Sequence, residues 1–365
     1  MAAPRRIRSI VIISLVGLVI LGVVVVSAAA VSDRLTSPLG PGLDLATPTA
    51  DVTPNPTASP APRSEATEAL ASATPEPEPL CGGPATMIVL GVGADNRENN
   101  YLYGLADAIR VARVDFRKPS LSVLTLPRDL WVEIPGISDH YGITHGKLNQ
   151  AYLYGNPGMG YYDGPGAGPG LLARTLELNY GIRPDHYGAV NMQTFVRLVD
   201  AVGGIDIYLE QAVDGRPVDE KTEDMGYFGA GQHHMNGETA LRFSRIRKID
   251  NGFRRDDRQT QVLCALKDRL LSTEGLSNLP EIIGAFEGSV LTDLSPAQLA
   301  QLACLGPMID PQDLRFASLP DELMQPARND QGSFILQGDS DRLRDLIQSF
   351  ISGAWPTEPD QPSCP

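Results

Sequence analysis

Aromatic residues make up only 6% of the 365 residues, and the five histidines are scattered. No H-E-x-x-H, G-x-S-x-G or G-K-[ST] motif occurs, which removes the zinc-protease, nucleophile-elbow and P-loop classes. Gly91 and Gly93 do not open a dinucleotide fingerprint, because Asn96 stands at the third glycine position and no helical pattern follows. Net positive charge is lacking too: a formal charge of -14 and a pI of about 4.8 argue against nucleic acid as a partner. Cysteines number four (Cys81, Cys264, Cys304, Cys364) with no C-x-x-C spacing, so disulfides are expected rather than a zinc site. Of the three possible pairings we expect Cys264 with Cys304, both in helical patterns, and Cys81 with Cys364, which would tie the two ends of the domain.

Charge is absent from Ser9 to Val31, 23 residues that follow three arginines and no acid in Met1–Arg8. As a helix this stretch is about 34 Å long, enough to cross a hydrocarbon core of about 30 Å. The arginines place residues 1–8 in the cytoplasm and everything beyond residue 31 outside it, so a single-pass protein of the cell membrane is expected. Small residues at Ser27–Ala30 offer a cleaved signal peptide as the alternative. The apolar run exceeds the usual h-region of about 7–15 residues, which favours an uncleaved anchor. Residues 32–85 have no Phe, Trp or Tyr and hold 11 of the 30 prolines; such a segment cannot offset its own ordering entropy, and a disordered linker is expected.

From Thr86 to Trp355 the composition is that of a packed domain. Apolar runs at Met87–Val92, Ala108–Val114 and Leu121–Leu126 predict three strands. Phe195, Leu198, Val199 and Val202 recur at helical spacing, and Gly203-Gly204 stops that helix before a strand at Ile205–Leu209. Further helices are predicted at Leu171–Leu178, Ala240–Arg247, Gln259–Leu271, Ser295–Leu305 and Arg342–Ile351. Strands interleaved with helices indicate an α/β layered fold. DGPGAGPG at Asp163–Gly170 is expected to be a flexible loop over a cleft rather than a phosphate cradle.

Three constellations carry chemistry. Asp95 and Asp107 flank the loop between the first two strands, where two carboxylates can converge on a hard cation such as Mg²⁺. Pro127-Arg128-Asp129 ends the third strand, with Lys147 and Asn149 of KLNQAY beyond it; an Arg128–Asp129 surface pair is the alternative. Arg242–Gln259 packs seven basic residues against three acids. Arginine forks match phosphate oxygens, although a solvated helix face laced with ion pairs would show the same run. Arg245 and Arg247 face one way only if the chain is extended there, so the helix beginning near Gly237 should end before Arg247.

GVGADNR, LADAI, LPRDLWVEIPG, KLNQAY, LVDAVGGIDI, HMNGETALRFSRIR and RRDDRQTQ resemble, in that order, the motifs of the LytR-CpsA-Psr family of cell-wall glycopolymer transferases. The resemblance implies a three-layer α-β-α domain with a central twisted mixed sheet. The resemblance covers residues 86–271, the core; residues 272–355 match none of these motifs and are expected to pack on it as helices and a strand, with a separate recognition role as the alternative, and 356–365 to form a tail. It further implies Mg²⁺-dependent transfer of a glycopolymer from a polyprenyl (undecaprenyl) diphosphate to a hydroxyl of peptidoglycan or another wall polymer, through a phosphodiester. Asp95 and Asp107 would hold Mg²⁺; Asp107, Arg128 and Arg245 would be catalytic; Arg128, Arg245, Arg247, Arg255 and Gln259 would grip the diphosphate, with Arg258 in reserve. Arg254 and Asp256 are left as surface charges.

The sequence departs from the family pattern at Leu105, where an arginine usually precedes the second aspartate by two residues, and at Gly252, where an acid is common. Arg97 or Arg110 would have to stand in for the missing arginine. Leu105 therefore keeps two alternatives open, a binding protein that holds polyprenyl diphosphate without transfer and a phosphohydrolase acting on the same lipid.

Overall fold

The computed structural model describes residues 36–45, 77–96, 98, 100–220, 222–246, 252–272 and 289–356. The expected anchor at 9–31, Arg97, Arg247 and Cys364 lie outside the described residues. Among the described residues no helix is long and apolar enough to cross a membrane.

The principal elements are, in chain order, β1 (Thr86–Ala94), β2 (Ala106–Asp115), β3 (Ser120–Leu126), α1 (Leu148–Gly155), α2 (Ala167–Tyr180), β4 (His186–Asn191), α3 (Met192–Ala201), β5 (Ile205–Leu209), β6 (Gly231–Met235), α4 (Gly237–Arg245), α5 (Gly252–Leu271), β7 (Leu291–Thr292), α6 (Pro296–Leu305), β8 (Leu314–Ser318) and α7 (Ser340–Ser352). The central sheet has the order β7-β4-β1-β2-β3-β8 and is mixed: β1 runs parallel to β4 and β3 to β8, while the other pairs are antiparallel.

Both faces of this sheet are covered, which is why its central strands read as unbroken apolar runs. Ile88, Leu90 and Val92 on β1 join Ile109 and Val111 on β2 in one cluster with Leu148 and Tyr152 of α1, Leu172 and Leu176 of α2 and Ile347 of α7. Met87, one residue out of phase, packs on the opposite side with Val114, Leu294 and Leu305. Val123 and Phe316 on that side meet Cys264 of α5. The three layers expected of the family resemblance are therefore present. A second cluster joins β5 and β6 to α3, α4 and α5 through Val199, Ile207, Phe243 and Val262.

Local chemistry explains the helix ends. Asn191 caps α3 by accepting from Thr194 N at 2.8 Å, and Asn236 caps α4 through Thr239 N at 2.9 Å. Gly203 and Gly204 take φ of 79° and 86°, which ends the α3 region as the glycine pair predicts. The α4 helix ends at Arg245, and Ile246 takes a ψ of 129°, so the chain leaves the helix before Arg247 as expected.

Five expectations need correction. Cys81 pairs with Cys304, not with Cys364, because the end of α6 packs on the turn at Leu80–Gly82; Cys264 is also disulfide-bonded, so its pairing with Cys304 is excluded. The glycine-rich stretch 163–170 is a loop only over its first four residues: its last four are the first turn of α2. A side chain at Gly168 would meet Asn156 Oδ1 at 2.2 Å, so glycine there permits the close approach of α1 and α2. The stretch 36–45, inside the expected linker, lies on the domain. Leu43 is buried, its carbonyl accepts from Arg174 at 3.0 Å, and Tyr187 donates to Pro41 O at 3.0 Å. Residues 77–85 likewise belong to the domain, through the turn that carries Cys81. Beyond residue 272 the chain supplies more than one strand: β7 and β8 are the two edges of the central sheet, and Met324–Arg328 pairs with Phe334–Gly338.

Candidate active site

The ends of β1 and β3 and the start of β2 meet at one rim of the sheet. Pairing is regular up to Gly93 with Ala108, after which Ala94 faces Ala106, so Asp107 is the extra residue of a bulge. A bulge turns a side chain out of the strand's alternation, a common device beside active sites. Asp107 takes the Nη1 of Arg128, whose Nε reaches Asp129 Oδ2 at 3.3 Å; Asp129 Oδ1 in turn accepts from Lys147 Nζ at 2.7 Å. Burial opposes charge on Arg128, but the two carboxylates outweigh it and raise its pKa above the ordinary guanidinium value. The backbone fixes this group as well, since Arg128 O accepts from Asn149 N at 3.1 Å. The arrangement is therefore a partly buried chain of four charges and not the surface pair that Arg128 and Asp129 alone would make.

Asp95 closes the neighbouring loop. Its Oδ1 accepts from Leu105 N at 2.7 Å while its own N donates to Leu105 O at 2.9 Å. Leu105 thus contributes backbone where the family pattern has an arginine. Arg110 is buried on the α5 side of the sheet, donating to Thr125 Oγ1 at 2.9 Å and to Thr260 Oγ1 at 3.3 Å, and so ties α5 to the sheet.

Arg255, Arg258 and Gln259 fall at i, i+3 and i+4 and so share one side of α5. Arg255 and Arg258 are buried, Gln259 half-buried, and Arg258 donates to Ile246 O just past the end of α4. Arg245, in the last turn of α4, pairs with Glu223 Oε2 at 3.1 Å. The structure thus brings Asp107 and Arg128 into direct contact, with Asp95 on the adjoining strand end. It gathers Arg245, Arg255, Arg258 and Gln259 in and around the α4–α5 seam.

A groove of about 410 Å³ lies between α3 and α4, lined by Met192, Val196, Arg197, Glu223, Glu238, Leu241 and Arg245 among others. Sequence reasoning missed Arg197, Glu223 and Glu238, since nothing in their spacing marks them as neighbours. Among the described residues no group of three or more His, Cys, Asp or Glu is placed to hold a metal ion. The Asp95 and Asp107 carboxylates are hard oxygen donors, and two of them would hold a cation such as Mg²⁺ only together with phosphate oxygens and water.

The sequence pattern of the LytR_cpsA_psr family matches residues 61–350. Regulatory protein MsrR of Staphylococcus aureus (strain COL) is 27% identical over 237 residues, 64% of this chain and 64% of that protein. The polyisoprenyl-teichoic acid–peptidoglycan teichoic acid transferase TagU of Enterococcus faecalis (strain ATCC 700802 / V583) is 31% identical over 224 residues, 60% of this chain and 65% of that one. The chain thus spans just under two thirds of the length of these relatives. The solved structures of gbs0355 from Streptococcus agalactiae (TM-score 0.60, 22% identity, 73% of this chain and 87% of that) and of B. subtilis TagV (TM-score 0.56, 24% identity, 73% and 97%) share its fold.

Proposed function

The chain belongs to the LytR_cpsA_psr family, and from that premise we propose that it transfers a glycopolymer from a polyprenyl diphosphate to a peptidoglycan hydroxyl. The observation that carries this reading is the contact of Arg128 with the bulged Asp107 at the sheet rim. A diphosphate diester brings about two negative charges, and phosphoryl transfer is mostly positioning and charge stabilisation. Arg128 has five N–H donors in a rigid fork. Two carboxylates and a strand end fix its orientation, so its remaining donors are presented to phosphate oxygens without further ordering. Arg245, Arg255, Arg258 and Gln259 add donors from a second direction.

In the reaction the acceptor hydroxyl oxygen bonds to the phosphorus next to the glycan. The bridging P–O bond breaks, polyprenyl monophosphate departs, and the hydroxyl proton leaves with it. Asp95 and Asp107 would hold Mg²⁺, which supplies neutralisation of charge on the phosphate oxygens when bound. The disulfide Cys81–Cys304 supports an extracytoplasmic domain, since such bonds persist in oxidising compartments.

Leu105 favours a second reading, a member that binds the lipid diphosphate without transfer. Both are tested by incubating the full chain in proteoliposomes with a lipid diphosphate glycan, Mg²⁺ and peptidoglycan, following glycan and phosphate separately. Glycan appearing on the wall, and lost on chelation, is the expected result. Unchanged bound lipid would establish the binding protein, and phosphate release independent of acceptor would establish a hydrolase.

A further inference from the structure

The arginines of the site sit on different elements: Arg128 follows the end of β3, while Arg255 and Arg258 ride on α5 with Gln259. Arg110 joins those two elements. It lies directly across the sheet from Thr125, on the strand that leads into Arg128, and its Nη1 donates to Thr125 Oγ1 at 2.9 Å. Both of its terminal nitrogens donate to the Oγ1 of Thr260, the residue after Gln259, each at 3.3 Å. Arg110 and Thr125 are buried, and Thr260 is half-buried.

Further from the rim the same face is apolar: Ala112 on β2 and Val123 on β3 pack with Cys264, one helical turn beyond Thr260. Apolar packing is non-directional and lets a helix turn or slide, whereas a fork of N–H donors on a hydroxyl fixes both its rotation and its axial position. The directional contact is the one nearer the site. Rotation matters there because Arg255, Arg258 and Gln259 share one side of α5 and swing together. Misplacing such groups by about 1 Å can cost about 10² in rate. The guanidinium of Arg110 lies between two threonine hydroxyls on the α5 side of the sheet, so its part is indirect and it does not supply the donor that Leu105 leaves out.

We propose that Arg110 is a positioning residue, which acts through Thr260 to set α5 against the end of β3 and thereby the spacing between Arg128 and the Arg255–Gln259 side of the helix. The inference rests on the diphosphate reading of the site, but one of its two readouts does not need a ligand. Full-length protein in detergent micelles is compared as wild type, Arg110→Met, Thr260→Val and the variant carrying both changes. Val123→Ala, which thins the apolar contact on the same face, controls for lost stability. Geranyl diphosphate with Mg²⁺ is titrated well below every melting temperature, and hydrogen exchange of the amides of residues 255–262 is followed without ligand.

Arg110→Met and Thr260→Val should each weaken geranyl diphosphate about ten-fold and speed exchange in α5 by about ten-fold or more, while Val123→Ala leaves affinity within about two-fold. Because both changes break one link, the double variant should bind within about two-fold of the weaker single one. Additive losses would overturn the proposal, since Arg110 would then reach the ligand by another route. So would a matching loss in Val123→Ala, which would reduce the role to stability, or unchanged affinity in Thr260→Val, the variant that decides the matter if Arg110→Met does not fold. Wild type that binds no geranyl diphosphate would sink the diphosphate reading. Exchange alone then decides: faster exchange in α5 supports the link through Thr260, and unchanged exchange overturns it.

Discussion

The two sides of the central sheet differ in what they bury. Toward α1, α2 and α7 the interior is apolar, built from residues such as Leu90, Leu124, Leu172 and Ile347. Toward α5 the protein buries Arg110 between two threonine hydroxyls, and α5 itself carries buried Arg255 and Arg258. Buried guanidinium groups need polar partners, which Thr125 and Thr260 give Arg110 and the Ile246 carbonyl gives Arg258, so the second side relies on hydrogen bonds where the first relies on apolar packing. The first side holds the strands in register, and the rim where that register breaks at Asp107 inherits its rigidity.

Substitutions on each side should sharpen the contrast. Leu124→Ala, on the apolar side, should lower unfolding free energy by about 2–5 kcal/mol in a denaturant titration; a change under about 1 kcal/mol would show that this side does not dominate stability. Asp107→Asn should reduce glycan transfer by about 10²- to 10³-fold while the unfolding midpoint stays near wild type, and substantial remaining transfer would remove the bulged carboxylate from the chemistry. Arg245→Ala should weaken lipid diphosphate binding by about 1.5–3 kcal/mol, measured by equilibrium titration, with little effect on folding.

The smallest effect is expected away from both sides. Hydrogen bonds from Arg216 hold the carboxyl of half-exposed Asp214 down at about 2. A carboxyl lowered in the fold stabilises above its unfolded value of about 3.9 and loses that contribution as pH falls toward 2. That contribution is constant above about pH 5, so thermal midpoints of wild type and Asp214→Asn should run parallel from pH 8 to about 5.

Much of the fold was legible because the sheet's strands are buried on both faces and so stand out as runs such as MIVLGV. The glycine stop after α3 and the end of α4 before Arg247 were legible for local reasons of backbone conformation. The pairing of Cys81 with Cys304 was not, since it depends on α6 packing against a turn 223 residues earlier in the chain. Residues 36–45 read as linker because composition registers prolines and not the docking of one leucine and a few carbonyls. At the site, Asp95, Asp107 and Arg128 lie in motif-dense strand ends. Arg197, Glu223 and Glu238 come from three separate segments, and only tertiary packing makes them one surface.

The disulfide has a topological consequence. Cys81 and Cys304 close a covalent ring that contains the bulged carboxylate, Arg128, the groove and the α5 arginines. A single backbone cut inside that ring, for instance beside the exposed Val218, would leave both fragments joined. Such a nicked molecule would migrate as one species without reductant and as two with it, and the halves of the active site would stay covalently tethered after the cut.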